Sequence, residues 1–224
     1  MEIHVALAPE DASSYTSGRI ARRLRDAVAA RGGASIAFSG GSTPRAMLAL
    51  LAATDLPWTA ITAYQVDERV APDGDPDRNA GMLDVLPLPK RNLKLMPVTA
   101  ANLAAACRRY AAALPERFDV VHLGIGDDGH TASWPPGDPV VDVTEPVATC
   151  GPFNGRIRTT LTPPVVNAAR WRIVEVSGAA KASVVRRWVD GDMALPISCV
   201  RRTATLASLD AAAASGLALP DDRP

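Results

Sequence analysis

The chain has 224 residues, and its 24 Lys and Arg residues balance its 24 Asp and Glu residues, so the formal net charge is zero. Hydrophobic residues make up 47% and charged residues 21% of the chain, a globular composition that excludes an intrinsically disordered protein. A neutral chain without a long block of one charge also disfavours nucleic acid and membranes as partners. We therefore expect any anion to be held by a few placed groups.

The length is typical of one large α/β domain, so we predict a single domain over residues 1–224. The three cysteines, Cys107, Cys150 and Cys199, are far apart and form no CxxC pair, which predicts neither a disulfide framework nor a zinc site. The first residues lack the basic and apolar segments of a signal peptide, and no apolar run is long enough to span a membrane. We expect a cytoplasmic protein in a reducing compartment.

The first predicted element is an amphipathic helix. Ile20, Leu24 and Val28 recur at four-residue spacing among charged residues, which is typical of one buried helix face. Asp11 is a candidate N-cap, and the helix is expected to end at Gly32-Gly33.

Beyond this helix, short strand-like runs alternate with helix-like segments to the end of the chain. The expected strands are 35–39, 61–67, 93–96, 118–124, 159–162, 171–177 and 203–209, and the expected helices are 45–53, 100–114, 165–169 and 179–190. A loop at 68–79 precedes a short helix, and the weakly periodic segment 127–155 is long enough to predict a functional loop. The alternation predicts an α/β fold with a mostly parallel sheet covered by helices.

A candidate anion site follows the second predicted strand. Gly40, Gly41, Ser42 and Thr43 form a turn that leads into a helix beginning near Pro44. Glycines allow close approach of the backbone, hydroxyls donate hydrogen bonds, and a helix N-terminus offers free amides to a phosphate. The alternative is a capped β-to-α turn, because the Walker lysine is absent.

A second candidate, Asp67-Glu68-Arg69, ends the next strand, where open α/β sheets place their ligands. Two carboxylates beside a guanidinium are suited to positioning a polar substrate. The alternative is a solvated strand end with a surface ion pair.

The third candidate follows the strand at 118–124 and contains the pattern GxGxxG. A dinucleotide site is disfavoured because Asp127 and Asp128 would place negative charge beside a pyrophosphate, and Trp134-Pro135-Pro136 interrupts the expected helix. His130 instead combines an imidazole of near-neutral ordinary pKa with a nearby carboxylate, as a general base requires.

The remaining candidates are two histidines and two cations. His4 and His122 fall within strand patterns, so we expect them to be packed or solvent-facing rather than catalytic. Arg158 and Lys181 lie near predicted strand ends. Each is a candidate anion ligand, and simple solvation is the alternative for either one.

Taken in order, these segments resemble the 6-phosphogluconolactonase family, within the larger group that also holds glucosamine-6-phosphate deaminases. The matching segments are 39–44, 67–69, 124–133, 158–162 and 178–182. The resemblance implies a Rossmann-like α/β fold of one domain, with helices on both faces of the sheet and no nicotinamide or other cofactor. It also implies hydrolysis of 6-phospho-D-glucono-1,5-lactone in the oxidative pentose phosphate pathway.

The resemblance further implies how the substrate is held. The turn from Gly40 to Thr43, together with Arg158 and Lys181, resembles the phosphate-binding set. The expected partner is accordingly a small sugar phosphate bound by a monomer that uses no metal.

Catalytic roles are implied in the same way. His130 resembles the catalytic base and Asp128 its partner, while Asp67 and Arg69 resemble the residues at the lactone end. This agrees with the chemistry, because a lactone carbonyl needs an activated water and a cation for the developing oxyanion.

A deaminase and a non-catalytic sensor are the two alternatives to a lactonase. A deaminase would carry a glutamate where this chain has Pro135, and usually a tyrosine where it has Arg69. A non-catalytic sugar-phosphate sensor is the other alternative. The chain departs from the family at Trp134-Pro135-Pro136 and at Arg78-Asn79, and glycines flanking Trp134 lead us to expect a mobile lid there.

Overall fold

Seven parallel strands form the main sheet of the structure, a computed structural model that describes residues 1–41 and 43–218. These strands are β1 (Glu2–Ala6), β2 (Ala34–Phe38), β3 (Ile61–Gln65), β5 (Leu93–Lys94), β6 (Val120–Leu123), β9 (Trp171–Val176) and β10 (Thr205–Asp210). Their order across the sheet is β1-β10-β9-β6-β2-β3-β5. The predicted α/β class with a mostly parallel sheet is confirmed.

A smaller antiparallel sheet carries several of the candidate site residues. Its strands are β4 (Asp67–Arg69), β7 (Val147–Phe153) and β8 (Arg156–Leu161), in the order β4-β8-β7. The prediction of one strand over 61–67 is wrong, because the chain leaves the main sheet after Gln65 and Asp67 begins β4. Val66 joins the two sheets: its N–H donates to Phe38 O, and its carbonyl accepts from Leu161 N–H.

Helices cover both faces of the main sheet, as expected. They are α1 (Pro9–Arg31), α2 (Pro44–Ala52), α3 (Leu103–Ala112), α4 (Pro163–Ala168) and α5 (Ala182–Asp190). Side chains alternate along β2, so Ile36 and Phe38 pack with α1 and α2 while Ala37 joins the cluster containing residues of α3 and α5. The sheet is therefore buried on both sides.

The limits of α1 are set by Pro9 and Gly32. Gly32 adopts a left-handed conformation with φ 74°, and its N–H donates to Val28 O, which confirms the predicted end. The prediction of Asp11 as N-cap is wrong, because the helix already begins at Pro9 after Ala8. Proline suits the first helical position, and Asp11 stands in the first turn, where a carboxylate favours the helix dipole.

The segment 127–155 contains a strand that was not predicted. β7 pairs with β8 through the two-residue turn Asn154-Gly155, in which both residues have positive φ. A register shift between Cys150 and Phe153 interrupts the pairing, and Gly151-Pro152 lies at that shift. Glycine and proline at a bulge obscure the alternation by which a strand is recognised.

The strand order creates a crevice between β2 and β6. The chain continues from β2 to β3 on one side, whereas β6 pairs on the other side of β2. Loops leaving the carboxyl ends of two such strands diverge, and α/β sheets bind their ligands at this point. Within residues 1–41 and 43–218, no helix combines the length and the hydropathy needed to cross a membrane.

Arg172 of β9 connects the end of α4 to the start of β10 through side-chain hydrogen bonds. Its side chain is 2% exposed. It donates to Thr205 Oγ1 and to the backbone oxygens of Val166, Asn167, Ala169, Thr203 and Ala204. Burial, followed by the charges of Arg201 and Arg117, lowers the pKa of Arg172. One buried cation thus holds the end of α4 against the start of β10.

We expect Arg172→Met to lower the free energy of unfolding by about 3 kcal/mol or more, because it leaves several buried carbonyls without a donor. Urea unfolding measures this change. Arg22→Met is the matched control on the exposed face of α1 and should shift stability by less than about 0.5 kcal/mol. Equal stability of both variants would contradict the role of Arg172.

Candidate active site

A cleft of about 220 Å³ opens at the carboxyl ends of β2, β6 and β9. The predicted site residues that line it are Gly40, Gly41, Thr43, Asp67, Arg69, His130, Arg158 and Lys181. Asp128 reaches the cleft through its contact with His130. Ser42 lies outside the residues that the structure describes.

The turn after β2 is built for close backbone approach. A Cβ added at Gly40 would lie 1.8 Å from Asn79 Oδ1, and Gly41 has a φ of 120°. The Asn79 side chain donates to Asp67 O over 3.0 Å, so it ties this turn to the start of β4. Thr43 and Pro44, which begin α2, also line the cleft, and the free amides at a helix N-terminus favour a bound anion.

His130 and Asp128 form a hydrogen-bonded pair. Nδ1 of His130 lies 2.5 Å from Asp128 Oδ1, and the His130 backbone N–H donates to the same oxygen over 3.1 Å. Burial raises the pKa of Asp128, but the backbone and ring hydrogen bonds from His130 outweigh it and hold that pKa below its usual value. An ionised Asp128 keeps a proton on Nδ1, which leaves Nε2 of His130 as an acceptor.

The loop that carries this pair depends on Gly126. A Cβ at that position would lie 2.0 Å from both Cε1 and Nδ1 of His130 and 2.9 Å from Asp128 Oδ1. Gly126, the second glycine of the GxGxxG pattern, therefore makes room for the imidazole.

Two arginines face the cleft from adjacent strands of the small sheet. Arg69 of β4 pairs in register with Arg158 of β8. Burial lowers the pKa of Arg158, and the neighbouring charge of Arg69 lowers it further. Like charges at directly opposite positions are unfavourable, so a bound anion would relieve the repulsion between them.

Asp67 adds one carboxylate to the same cleft. It is buried, and Ser133 Oγ donates to its Oδ2 over 2.7 Å. Burial raises the pKa of Asp67, while the hydrogen bond from Ser133 and the charges of Arg69 and Arg158 offset part of that rise. The alternative of a solvated strand end is wrong for this triplet.

Glu68, by contrast, supports the fold. Its fully buried carboxylate accepts from the backbone N–H groups of Arg69, Asn79 and Ala80, and pairs with Arg78 at 3.0 Å. Arg78, where the sequence departs from the family that it resembles, thus neutralises a buried carboxylate. Glu68 does not line the cleft.

Lys181 faces the cleft from a 3-10 turn, Ala179–Lys181, that precedes α5. Its Nζ lies 2.5 Å from Asp127 Oδ1. Asp127 is 76% exposed, so water competes for its carboxylate and the pair is open to exchange. An anion that enters the cleft can replace Asp127 at the lysine.

Trp134 is a core residue. Its side chain is fully buried, and its indole N–H donates to Leu161 O over 2.8 Å. This argues against a lid centred on Trp134, because moving the indole would expose a large apolar surface. The side chain anchors the end of the His130 loop to β8.

Sequence reasoning missed a polar floor beneath the cleft. His122 is buried, as expected, and its Nε2 lies 3.0 Å from Glu175 Oε2, while Ser13 Oγ donates to the other oxygen of that carboxylate. Buried atoms of cleft-lining residues that have no protein partner within the described ranges are Ser39 Oγ, Thr131 Oγ1, Ser177 Oγ and Arg69 Nε. Buried polar atoms normally have partners, so these four point to a polar occupant.

Two further observations concern His4 and metal binding. His4 is packed, since its ring stacks on Tyr15 with centroids 3.5 Å apart. Across the part of the chain that the structure describes, no group of three or more His, Cys, Asp and Glu side chains is arranged to hold a metal ion. The cleft combines the His130–Asp128 pair with the cationic side chains of Arg69, Arg158 and Lys181.

The sequence and the fold are similar to those of known proteins. The family model described as glucosamine-6-phosphate isomerases/6-phosphogluconolactonase matches residues 8–208. The chain is 36% identical to a 6-phosphogluconolactonase of Synechocystis sp. over 177 residues, which cover 72% of this chain and 74% of that protein. It is 35% identical to a 6-phosphogluconolactonase of Nostoc sp. over 220 residues, which cover 89% and 91%. The structure resembles a crystal structure of a 6-phosphogluconolactonase from Shewanella baltica with a TM-score of 0.84 and 26% identity, over 94% of this chain and 97% of that one.

Proposed function

The chain belongs to the glucosamine-6-phosphate isomerase and 6-phosphogluconolactonase family, and we propose that it hydrolyses 6-phospho-D-glucono-1,5-lactone to 6-phospho-D-gluconate in the oxidative pentose phosphate pathway. One observation carries the proposal. The His130–Asp128 pair opens onto the same cleft as Arg69, Arg158 and Lys181. A general base beside a cationic site suits a substrate that has both a reactive ester and a phosphate.

In the proposed mechanism His130 acts first as a base. Its Nε2 takes a proton from a water molecule while the water oxygen attacks C1 of the lactone, and Asp128 stabilises the imidazolium that forms. Negative charge develops on the carbonyl oxygen, where Arg69 stabilises it. Collapse of the intermediate breaks the bond between C1 and the ring oxygen. The imidazolium then protonates that oxygen as it leaves.

The cations and the turn after β2 are proposed to hold the rest of the substrate. The amides of the turn from Gly40 to Thr43 and the ammonium of Lys181 bind the phosphate. Arg158 supplies a further positive charge to the bound anion, and Asp67 accepts hydrogen bonds near the lactone. Binding at several points fixes C1 near His130, which lowers the entropic part of the barrier.

Lys181→Ala is expected to weaken binding of 6-phosphogluconate about tenfold or more, because a charge-assisted hydrogen bond contributes roughly 1.5 to 3 kcal/mol. Asp127→Asn is the matched variant. It should strengthen binding about two- to fivefold, since Asp127 occupies the lysine when no anion is bound. Isothermal titration calorimetry in phosphate-free buffer measures both changes. Unchanged affinity in Lys181→Ala would remove the lysine from the site.

The assay that tests the proposed function is hydrolysis of freshly generated 6-phosphogluconolactone, corrected for spontaneous opening. A non-catalytic sensor would bind 6-phosphogluconate without accelerating hydrolysis. A deaminase would release ammonia from glucosamine 6-phosphate, an activity that Pro135 and Arg69 disfavour in this chain. The three alternatives therefore give three different results with one protein preparation.

We also propose that the protein acts as a cytoplasmic monomer. The three cysteines are free thiols, and Cys107 and Cys150 are buried, which is compatible with a reducing compartment. Light scattering of the purified protein tests the oligomeric state. A mass near twice the 23.5 kDa of one chain would contradict it.

A further inference from the structure

Phe153 touches two cleft residues that come from different segments of the chain. Its ring lies 4.9 Å from the His130 ring, centroid to centroid, with the planes 75° apart. The Arg158 guanidinium carbon lies 4.8 Å from the centroid of the same ring, and Arg158 Nε donates to Phe153 O over 3.3 Å. One half-buried aromatic side chain thus bridges the imidazole and a neighbouring cation.

We propose that Phe153 is a positioning residue that fixes the ring of His130 and the guanidinium of Arg158 relative to each other; this rests on the proposed function. Asp128 contacts the imidazole ring of His130 only at Nδ1, which leaves the tilt of the ring about that hydrogen bond free. A nearly perpendicular aromatic ring restricts that tilt. The face of Phe153 also attracts the guanidinium through its quadrupole.

The local backbone explains why this side chain is held in place. Phe153 and Arg156 are paired across the hairpin turn Asn154-Gly155, in which both residues have positive φ. Two-residue turns of this kind fix the register of the strands they join. The hairpin therefore sets the position of Phe153 relative to Arg158, two residues beyond Arg156 on β8.

The ring also has a role when charge moves. During the reaction His130 becomes an imidazolium, which is repelled by a nearby guanidinium. Phe153 contacts both groups, so it keeps the imidazolium and the guanidinium apart. The negative face of its ring also attracts the guanidinium of Arg158. An aliphatic side chain fills similar space but offers no negative face.

The experiment compares Phe153→Leu, Phe153→Ala and Phe153→Tyr with the wild type, and uses Phe118→Leu as the matched control. Phe118 is a buried aromatic residue that contacts Tyr64 in the core. Four quantities are measured: kcat for the lactone, the Kd of 6-phosphogluconate, the stability in urea and the NMR resonance of the His130 Cε1 proton. The chain has only three histidines, and loss of a signal in His130→Ala assigns this resonance.

We expect Phe153→Leu to lower kcat and to weaken binding, each by about 3- to 10-fold, and to shift the His130 resonance because a ring current is lost. Phe153→Ala should show losses at least as large. Phe153→Tyr should restore both quantities to within about twofold. Phe118→Leu should lower stability while leaving kcat, Kd and the resonance unchanged.

Two results would overturn the proposal. An unshifted His130 resonance in Phe153→Leu would show that the contact is absent. A shifted resonance with unchanged kcat and Kd would show that Phe153 only fills space. If the wild type hydrolyses no lactone, the proposed function fails separately, and the resonance together with the Kd of 6-phosphogluconate still decides the role of Phe153.

Discussion

His130→Ala is expected to lose about 10²- to 10⁴-fold in kcat while binding 6-phosphogluconate with a Kd within a few-fold of the wild type. A positioned general base contributes a rate factor of this size. The proposed phosphate contacts, at the turn after β2 and at Lys181, do not involve the imidazole. Removing the base should therefore destabilise the transition state and leave ground-state binding intact.

The measurement is a paired one on the same protein preparations. Lactone hydrolysis and product binding are determined for His130→Ala and His130→Gln, and circular dichroism verifies that each variant is folded. His4→Ala is the matched control, because His4 is packed on Tyr15 outside the cleft and should retain the wild-type rate.

Two outcomes would change the mechanism. Near-wild-type hydrolysis by either folded His130 variant would rule out this residue as the base. An equal loss of rate and binding would make His130 a residue that positions the substrate.

Gly126→Ala should lose about 10²-fold or more in kcat although it removes no functional group. The added Cβ would lie 2.0 Å from the imidazole atoms Cε1 and Nδ1, which no real contact allows. The His130 ring can escape by rotating toward the cleft, at a small cost in stability. Rotation, however, breaks its hydrogen bond to Asp128 and removes Nε2 from its proposed position.

Kinetics and urea unfolding together test this prediction. Gly18→Ala is the control, since Gly18 is exposed in α1 and a Cβ there meets nothing within 4 Å. That variant should keep the full rate and be more stable by about 0.5 to 1 kcal/mol. If Gly126→Ala keeps the wild-type rate, catalysis does not need the observed orientation of His130.

The sequence predicted strands and helices well where the residues that mark them lie close together in the chain. The run from Val120 to Leu123 is apolar except for His122 and is bounded by glycine, and the helix from Pro9 ends at a glycine that must adopt positive φ. These signals lie within a few residues of the elements they specify. They can therefore be recognised in a single sequence.

The hairpin from β7 to β8 was missed although a signal was present. Asn154-Gly155 is the strongest short-range hairpin signal known, but it stands among other glycines and prolines in a segment of weak periodicity. Recognising it would have placed Phe153 opposite Arg156. It would also have placed that ring near the predicted site residue Arg158.

The pairing of Arg69 with Arg158 could not be predicted from short sequence patterns. The two residues are 89 positions apart, and only the register of β4 on β8 brings them together. The same holds for Glu175 and His122, whose contact depends on the pairing of β9 with β6. Long-range register follows from tertiary packing, which no short motif encodes.

The pairing of β1 with β10 has a consequence for synthesis. β1 leaves the ribosome before the other described strands, yet its neighbour in the sheet, β10, begins about 200 residues later. At roughly 5 to 20 residues per second, β1 remains unpaired for about 10 to 40 seconds. β9, the last of the strands around the cleft, ends at Val176, about 30 residues before β10 begins, so the nascent chain can assemble the cleft while two strand edges are still open. Those edges, on β1 and β9, are where we expect chaperones to engage the chain as it is made.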